Sequence, residues 1–348
     1  MNGDNTAPGA EIKCDGKALP QQTAGLLAEV MVESRLDLPG SFAVTLIDAS
    51  LEAINSNDGP LREGVRLDIA LGYDQKFRSI MTGEIGAISA EMSAKGVLAR
   101  ITGFDMLHRL SRGTNYRRFE DGSGGALADS VIAQTLLNDA GLKPTVDDTP
   151  ERGIPRVQDN RSDLDFLVTL ANLNAYYLYS EDDRAFFSSS PPDRGEITLA
   201  WGKNLRAFYP RLNLNGLVNT LEARGWDVTQ DESYAETLDR PREDLRFLSS
   251  AGQDMMGRGS GGRSALNIHD ALITSGNDAK LLLSLVLRER QAIASATGSC
   301  AGDAGLRAGT KLKIEGAGRF SGSYFVTRAV HRYTIKGYTT EFQARMNS

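Results

Sequence analysis

Two stretches far apart in this chain carry one pattern. Leu61-Arg62-Glu63-Gly64-Val65-Arg66-Leu67-Asp68-Ile69 and Leu306-Arg307-Ala308-Gly309-Thr310-Lys311-Leu312-Lys313-Ile314 share Leu, Arg, Gly, Leu and Ile at the same spacing. A further glycine follows each, Gly83 and Gly322, and then Lys95-Gly96 matches Lys336-Gly337. Three matches in the same order predict two copies of one β-domain. Gly64 and Gly309 are then expected in equivalent turns, and Gly83 and Gly322 likewise. Two widely separated copies do not make a solenoid.

The hydrophobic period supports strands in both copies. Phe42, Val44 and Leu46 alternate with smaller or polar residues, as do Val65, Leu67, Ile69 and Leu71, and then Val97, Ala99 and Ile101. That is the signature of half-buried strands. Near the C-terminus Leu312 and Ile314, then Tyr324, Val326 and Val330, then Tyr338 and Phe342 read the same way. The 36 glycines suit a chain with many tight turns.

Between the copies the period changes. A helix is expected from Leu127 to Ala140, with Gly141 past its end, and a second from Ser162, which can cap it. A hairpin follows, with Tyr176 to Tyr179, a turn at Glu181-Asp182-Asp183, then Phe186 and Phe187. Residues 231–262 are polar, carry Pro241 and end in Gly and Ser. They read as a flexible insertion that proteases would nick first. A helix is expected from Asn277 to Thr297, with Leu281, Leu285, Ala292 and Ile293 inward.

The expected fold is therefore α+β and mainly β: two related antiparallel β-barrel domains with an α/β domain between them and a helical insertion. The expected boundaries are 1–115 for the first β-barrel domain and 116–210 for the α/β middle domain. The second barrel takes 211–230 and 298–348, and 231–297 form the flexible loop and helical insertion.

The chain offers no assembled chemistry. The histidines His108, His269 and His331 show no metal-ligand spacing, and Cys14 and Cys300 are isolated, which reads as two reduced thiols. Gly257-Arg258-Gly259-Ser260-Gly261-Gly262 fits G-x-G-x-x-G without a preceding strand, so it reads as a loop and not a dinucleotide site. Acidic residues at Asp147-Asp148 and Glu181-Asp182-Asp183 read as solvated turns. The aromatic hairpin reads as core and cross-strand pairing. With 39 basic and 45 acidic residues the net charge is −6, which disfavours nucleic acid as a partner. No run approaches the ~18 apolar residues of a membrane span. Residues 1–14 carry no basic and apolar leader. The chain is expected to be made in the cytoplasm and to stay soluble.

Several stretches resemble the phage late control protein D family, the baseplate-hub family that also forms the N-terminal part of type VI valine–glycine-repeat spike proteins. They include Leu306-Arg307-Ala308-Gly309, Gly318-Arg319-Phe320-Ser321-Gly322-Ser323-Tyr324, and Ala329-Val330-His331 before Lys336-Gly337-Tyr338. Leu217 to Asp227, ending in Gly225-Trp226-Asp227, is similar to the family's "V-x-V-x-G-W-D" strand, and Ser162-Asp163-Leu164-Asp165-Phe166-Leu167 leads into the aromatic hairpin as in that family.

The resemblance implies a homotrimeric structural hub of a contractile phage tail or injection system. Its partners would be a hexameric tail tube protein, a separate trimeric spike and other baseplate components, with no cofactor, metal or catalytic residue. The separate spike follows from the chain stopping at Ser348, past the last expected strand. Gly64, Gly83, Trp226, Gly309, Gly322 and His331 are the residues expected to carry the architecture, with Trp226 in the second barrel's core or against a neighbour. The rivals are a tail-associated cell-wall glycosidase, which needs a carboxylate pair roughly 5–10 Å apart, and a carbohydrate-binding β-module.

Overall fold

The computed structural model describes residues 7–36, 38–55, 59–94, 96–150, 155–215, 217–227, 230–240, 248–257, 265–268, 275–290 and 292–346. Among the described residues strands account for 52% against 17% helix, so the fold is mainly β.

The first β-unit contains β1 (Pro8–Cys14), β2 (Lys17–Ala18), β3 (Leu27–Arg35), β4 (Ser41–Ile47), β5 (Arg66–Tyr73), β6 (Lys76–Ser93) and β7 (Gly96–Asp105). Its ladder runs β3-β4-β7-β6-β5-β1-β2. The alternation read from sequence points inward here. Val30, Val32, Phe42, Val44, Leu46, Leu67, Ile69, Leu71 and Ile101 are all buried in one core. Burying one such side chain is worth about 1.5–3 kcal/mol, which fixes the register because a one-residue slip would turn the whole set to solvent.

The middle unit holds β8 (Asn115–Phe119), β9 (Lys143–Val146), β10 (Arg156–Arg161), β11 (Tyr177–Glu181) and β12 (Arg184–Ser188). Its two helices are Asp129–Asp139 and Asp163–Leu173. Ser162 caps the second by accepting the Asp165 N–H at 3.1 Å. Ile132, Leu136, Leu167, Leu170 and Phe187 join in a separate core.

The second β-unit begins earlier than expected. β13 (Glu196–Ala200) and most of β14 (Leu205–Leu212) fall within the stretch assigned to the middle domain, yet they pair with C-terminal strands. β15 (Thr220–Asp227), β16 (Glu232–Asp239) and β17 (Ala265–Ile268) form a separate three-stranded sheet, covered by the helix Gly276–Arg290. Residues 220–227 therefore leave the second unit. Residues 232–239 are a paired strand where a flexible loop was expected, while 241–247 and 258–264 lie outside the described residues, and so do His269 and Asp270. The Gly276–Arg290 helix buries Ala279, Leu283 and Val286 instead of Leu281 and Leu285. It also ends sooner than expected, because Ala294–Ala301 is β18. The small alternating residues of that stretch fit between β14 and the last strand.

β19 (Lys311–Glu315), β20 (Gly322–Thr334) and β21 (Gly337–Met346) complete the unit. Among the described residues neither expected β-barrel domain closes on itself. Both units belong to one 13-stranded sheet, β14-β18-β21-β20-β3-β4-β7-β6-β5-β1-β2, with β13 and β19 attached at β20. Among the described residues this path is open at both ends. The join is β20 to β3, antiparallel from Arg328↔Arg35 to Thr334↔Glu29.

Candidate functional site

The candidate site is the sheet itself, at its seam and its open edges. The two units share one strand plan. In the first it is β3-β4-β7-β6-β5-β1, and in the second β14-β18-β21-β20-β19-β13. The pairings agree residue by residue. Arg66 to Ile69 face Glu84 to Met81, and Lys311 to Ile314 face Phe325 to Gly322. β6 bulges between Ile85 and Ala87 on β7, and β20 bulges between Val326 and Arg328 on β21. β3 bulges between Leu27 and Glu29, and β14 between Leu205 and Ala207. One difference stands out: β1 joins β5 antiparallel, whereas β13 joins β19 parallel.

The glycines fit this plan unevenly. Gly64 and Gly309 both take positive φ, 78° and 94°, before β5 and β19. Gly96 and Gly337 open β7 and β21, while Lys95 lies outside the described residues. Gly83 and Gly322 do not correspond. Gly83 faces Leu67, whereas Gly322 faces Ile314, the counterpart of Ile69, so Gly322 matches Met81. Gly83 is not in a turn either. A Cβ there would lie 2.3 Å from the Phe104 carbonyl oxygen and 3.0 Å from the Phe42 ring, so crowding inside the first unit explains it.

At the seam, Arg328 grips Glu33 with two bonds, 2.6 Å from Nε and 2.7 Å from Nη2. Arg332 reaches Glu29 at 2.7 Å. The Arg328 bond holds the Glu33 carboxyl below its usual range against the opposing effect of burial. The Ala308 N–H donates to Ser34 Oγ at 3.0 Å, adding a direct bond between units. Arg194, with its side chain 8% exposed, bonds the Ala308 carbonyl at 2.9 Å and pairs with Glu181 of β11 at 2.9 Å. This ties the middle unit to the second. Burial, then the nearby Arg194 guanidinium, pushes Arg307 down to about 10.

His331 sits in the seam and is fully buried. Its Nδ1 lies 2.8 Å from Tyr338 Oη and 3.2 Å from Thr340 Oγ1. Burial, with Arg307 as a second cause, pushes the imidazole down to about 3, so it is neutral and serves as packing and hydrogen bonding. Trp226 is not in a core. It is 54% exposed on β15, outside the second unit.

The other sequence candidates are engaged locally. Asp147 accepts from Ser188 Oγ and the Ser189 N–H at 2.9 Å each, and Asp183 pairs with Lys143. Tyr179 stacks on Phe186 at 4.7 Å, and Tyr176 packs on the buried Phe187 at 5.3 Å. Cys14 and Cys300 are both free and buried. Among the described residues no group of three or more His, Cys, Asp or Glu could hold a metal ion, and no helix is long and apolar enough to cross a membrane. Sequence reasoning missed β14 as an edge strand. Its alternation of half-buried Phe208 and Pro210 with exposed Tyr209 and Arg211 was the available signal.

This doubled sheet with an α/β unit between its halves is a fold shared with phage tail proteins. The 43 kDa tail protein of prophage MuSo2 from Shewanella oneidensis superposes with a TM-score of 0.68 at 12% identity, over 97% of this chain and 98% of that one. The tail protein from Neisseria meningitidis MC58 gives 0.67 at 12% identity, over 98% and 97%. A type VI secretion system component from E. coli gives 0.59 at 13% identity, over 92% and 74%. No curated protein matches the sequence. The chain belongs to the Alg8 N-terminal domain family, whose model matches residues 4–334.

Proposed function

We propose that this chain is a structural hub of a contractile phage tail or contractile injection system, a component of that particle and not an enzyme. Three copies would present six related β-units in a ring, meeting a hexameric tube on one face and a trimeric spike on the other, with other baseplate components around them. One observation carries this reading. The two units keep the same strand order, and share bulges on β6 and β20 and on β3 and β14, although their sequences differ. A repeated backbone with divergent side chains is what a mixed three-fold and six-fold position demands. The shared fold with tail proteins and a type VI secretion component supports the same reading. The glycosidase and carbohydrate-module alternatives draw little support, since the Asp147 and Asp183 carboxylates and the aromatic hairpin are held in local contacts.

Native mass spectrometry of the full chain tests the reading. A trimer supports it. A strict monomer at micromolar concentration, or lytic activity in zymography lost on substituting one carboxylate, overturns it.

A further inference from the structure

We propose that the cavity where the three units meet binds one compact tetrahedral oxyanion of the phosphate class, held by Arg78, Arg194 and Arg307. The site is built within one chain and is complete without a second copy, so it stands or falls separately from the trimeric reading.

The cavity has a volume of about 240 Å³. Pockets for drug-sized ligands run from about 300 to 1,000 Å³, so this one suits a small ion. Each unit gives it a wall. Arg78 and Thr82 come from β6, Glu181 and Asp182 from the β11–β12 hairpin, and Arg194 and Arg307 from the segments that lead into β13 and β19. Arg78 crosses to the second unit: a Cβ on Gly305 would lie 3.0 Å from Arg78 Nη1.

The carboxylates of this wall are already served. Asp105 accepts the Gly40 N–H at 2.6 Å and the Leu107 N–H at 3.0 Å. Asp182 lies 3.2 Å from Thr82 Oγ1, and Glu181 takes Arg194 Nη2 at 2.9 Å. The guanidinium groups are not served to the same degree. Arg194 spends Nε on the Ala308 carbonyl and Nη2 on Glu181, and its Nη1 is buried without a hydrogen-bond partner. Arg307 Nε is buried and unpartnered as well. A buried donor left without an acceptor is costly, and more so when it is charged. Arg35, the fourth arginine of the wall, pairs with Glu33 at 3.6 Å.

Like charges gather at the same place. Burial first, then Arg194 and Arg78, push Arg307 down to about 10. Burial lowers Arg194 too; Glu181 opposes this and Arg78 adds to it. A phosphate-class ion brings negative charge and acceptor oxygens pointing in several directions, the complement of planar guanidinium forks that converge from separate elements. Its bound form would tie β6 to the two segments before β13 and β19, and mass action would then stabilise the joined arrangement.

The test is calorimetric titration of inorganic phosphate into the full chain at fixed ionic strength, with thermal melts of the same samples. The expected result is a saturable heat at one phosphate per chain, with a melting temperature that rises with phosphate and levels off. Acetate and chloride at the same ionic strength should give neither. Arg78→Ala, at an exposed position, and Arg307→Gln should each weaken the affinity at least about tenfold, since each removes a charge-assisted contact. Melts in phosphate-free buffer establish that both variants fold. No saturable heat up to tens of millimolar phosphate overturns the site. An equal response to acetate or chloride overturns it too, since that is the behaviour of general screening. Wild-type affinity in either folded variant overturns the three-arginine assignment.

Discussion

The Gly64 N–H donates to the Ile85 carbonyl at 2.8 Å, and the Gly309 N–H donates to the Val326 carbonyl at 2.8 Å. The return bonds, from Ile85 to Val65 and from Val326 to Thr310, are both 3.0 Å. The two glycines thus hold one turn twice. Its cost under substitution differs with surroundings. A Cβ on Gly64 would meet nothing within 4 Å, but on Gly309 it would lie 2.5 Å from Pro192 Cγ. Gly64→Ala should cost about 1–2 kcal/mol from positive φ alone. Gly309→Ala should cost at least about 1 kcal/mol more through overpacking. Paired thermal melts check this, and equal losses would contradict it.

How much of this was legible follows from what sequence conserves. The turn at Gly64 and Gly309 was legible because its backbone needs positive φ and tolerates few residues. The match of Gly83 to Gly322 misled because one glycine is set by the Phe42 ring and the other opens a strand. The likeness of β3 and β14 was invisible: of Leu27 to Val32 and Leu205 to Pro210, only the first residue agrees, because pairing and bulge are backbone properties. β16 was hidden by polarity. Tyr234 and Leu238 meet the core of its small sheet, while Ser233, Glu236 and Thr237 give the composition of a loop.

Trp226 shows the same difficulty in a sheet with one covered face. Leu221 and Ala223 point to the Gly276–Arg290 helix and are buried. Alternation then turns Trp226 to the open face. Trp226→Ala should change stability by no more than about 0.5 kcal/mol, the range for exposed sites. Chemical denaturation checks it. A loss of about 3 kcal/mol or more would place the indole in a core.

His331 predicts a pH-dependent cost. Its folded value, about 3, is below the ordinary 6.5. The unfolded chain therefore takes up the proton first, so this stability is full above about pH 6.5 and falls as pH drops toward 3. At about 1.4 kcal/mol per unit the window holds up to about 5 kcal/mol. Asp105 acts oppositely. Burial raises it to about 6 despite the Gly40 and Leu107 N–H bonds, so its penalty is relieved as pH falls from 6 toward 3.8. The wild-type curve mixes both, and the difference from His331→Gln isolates one. That variant should cost about 2–3 kcal/mol at pH 7 and progressively less at pH 5 and 4. A pH-independent cost would show that His331 is not a neutral buried imidazole.

The seam pair Arg328–Glu33 predicts a coupling and its loss in acid. The side chains are 33% and 19% exposed, so solvent screens part of the interaction. Bidentate geometry retains a net coupling of about 1 kcal/mol, measurable as a double-mutant cycle of Arg328→Ala and Glu33→Ala. Because the folded Glu33 value lies below 4.5, the coupling is present above that pH and is lost as pH falls through the folded value. The counterparts of these residues are Ala87 and Arg211, which cannot form this pair. The bond therefore belongs to the seam that joins the two units. A coupling near zero at pH 7 would assign the joining of the units to the backbone ladder and the apolar packing around His331 and Tyr338.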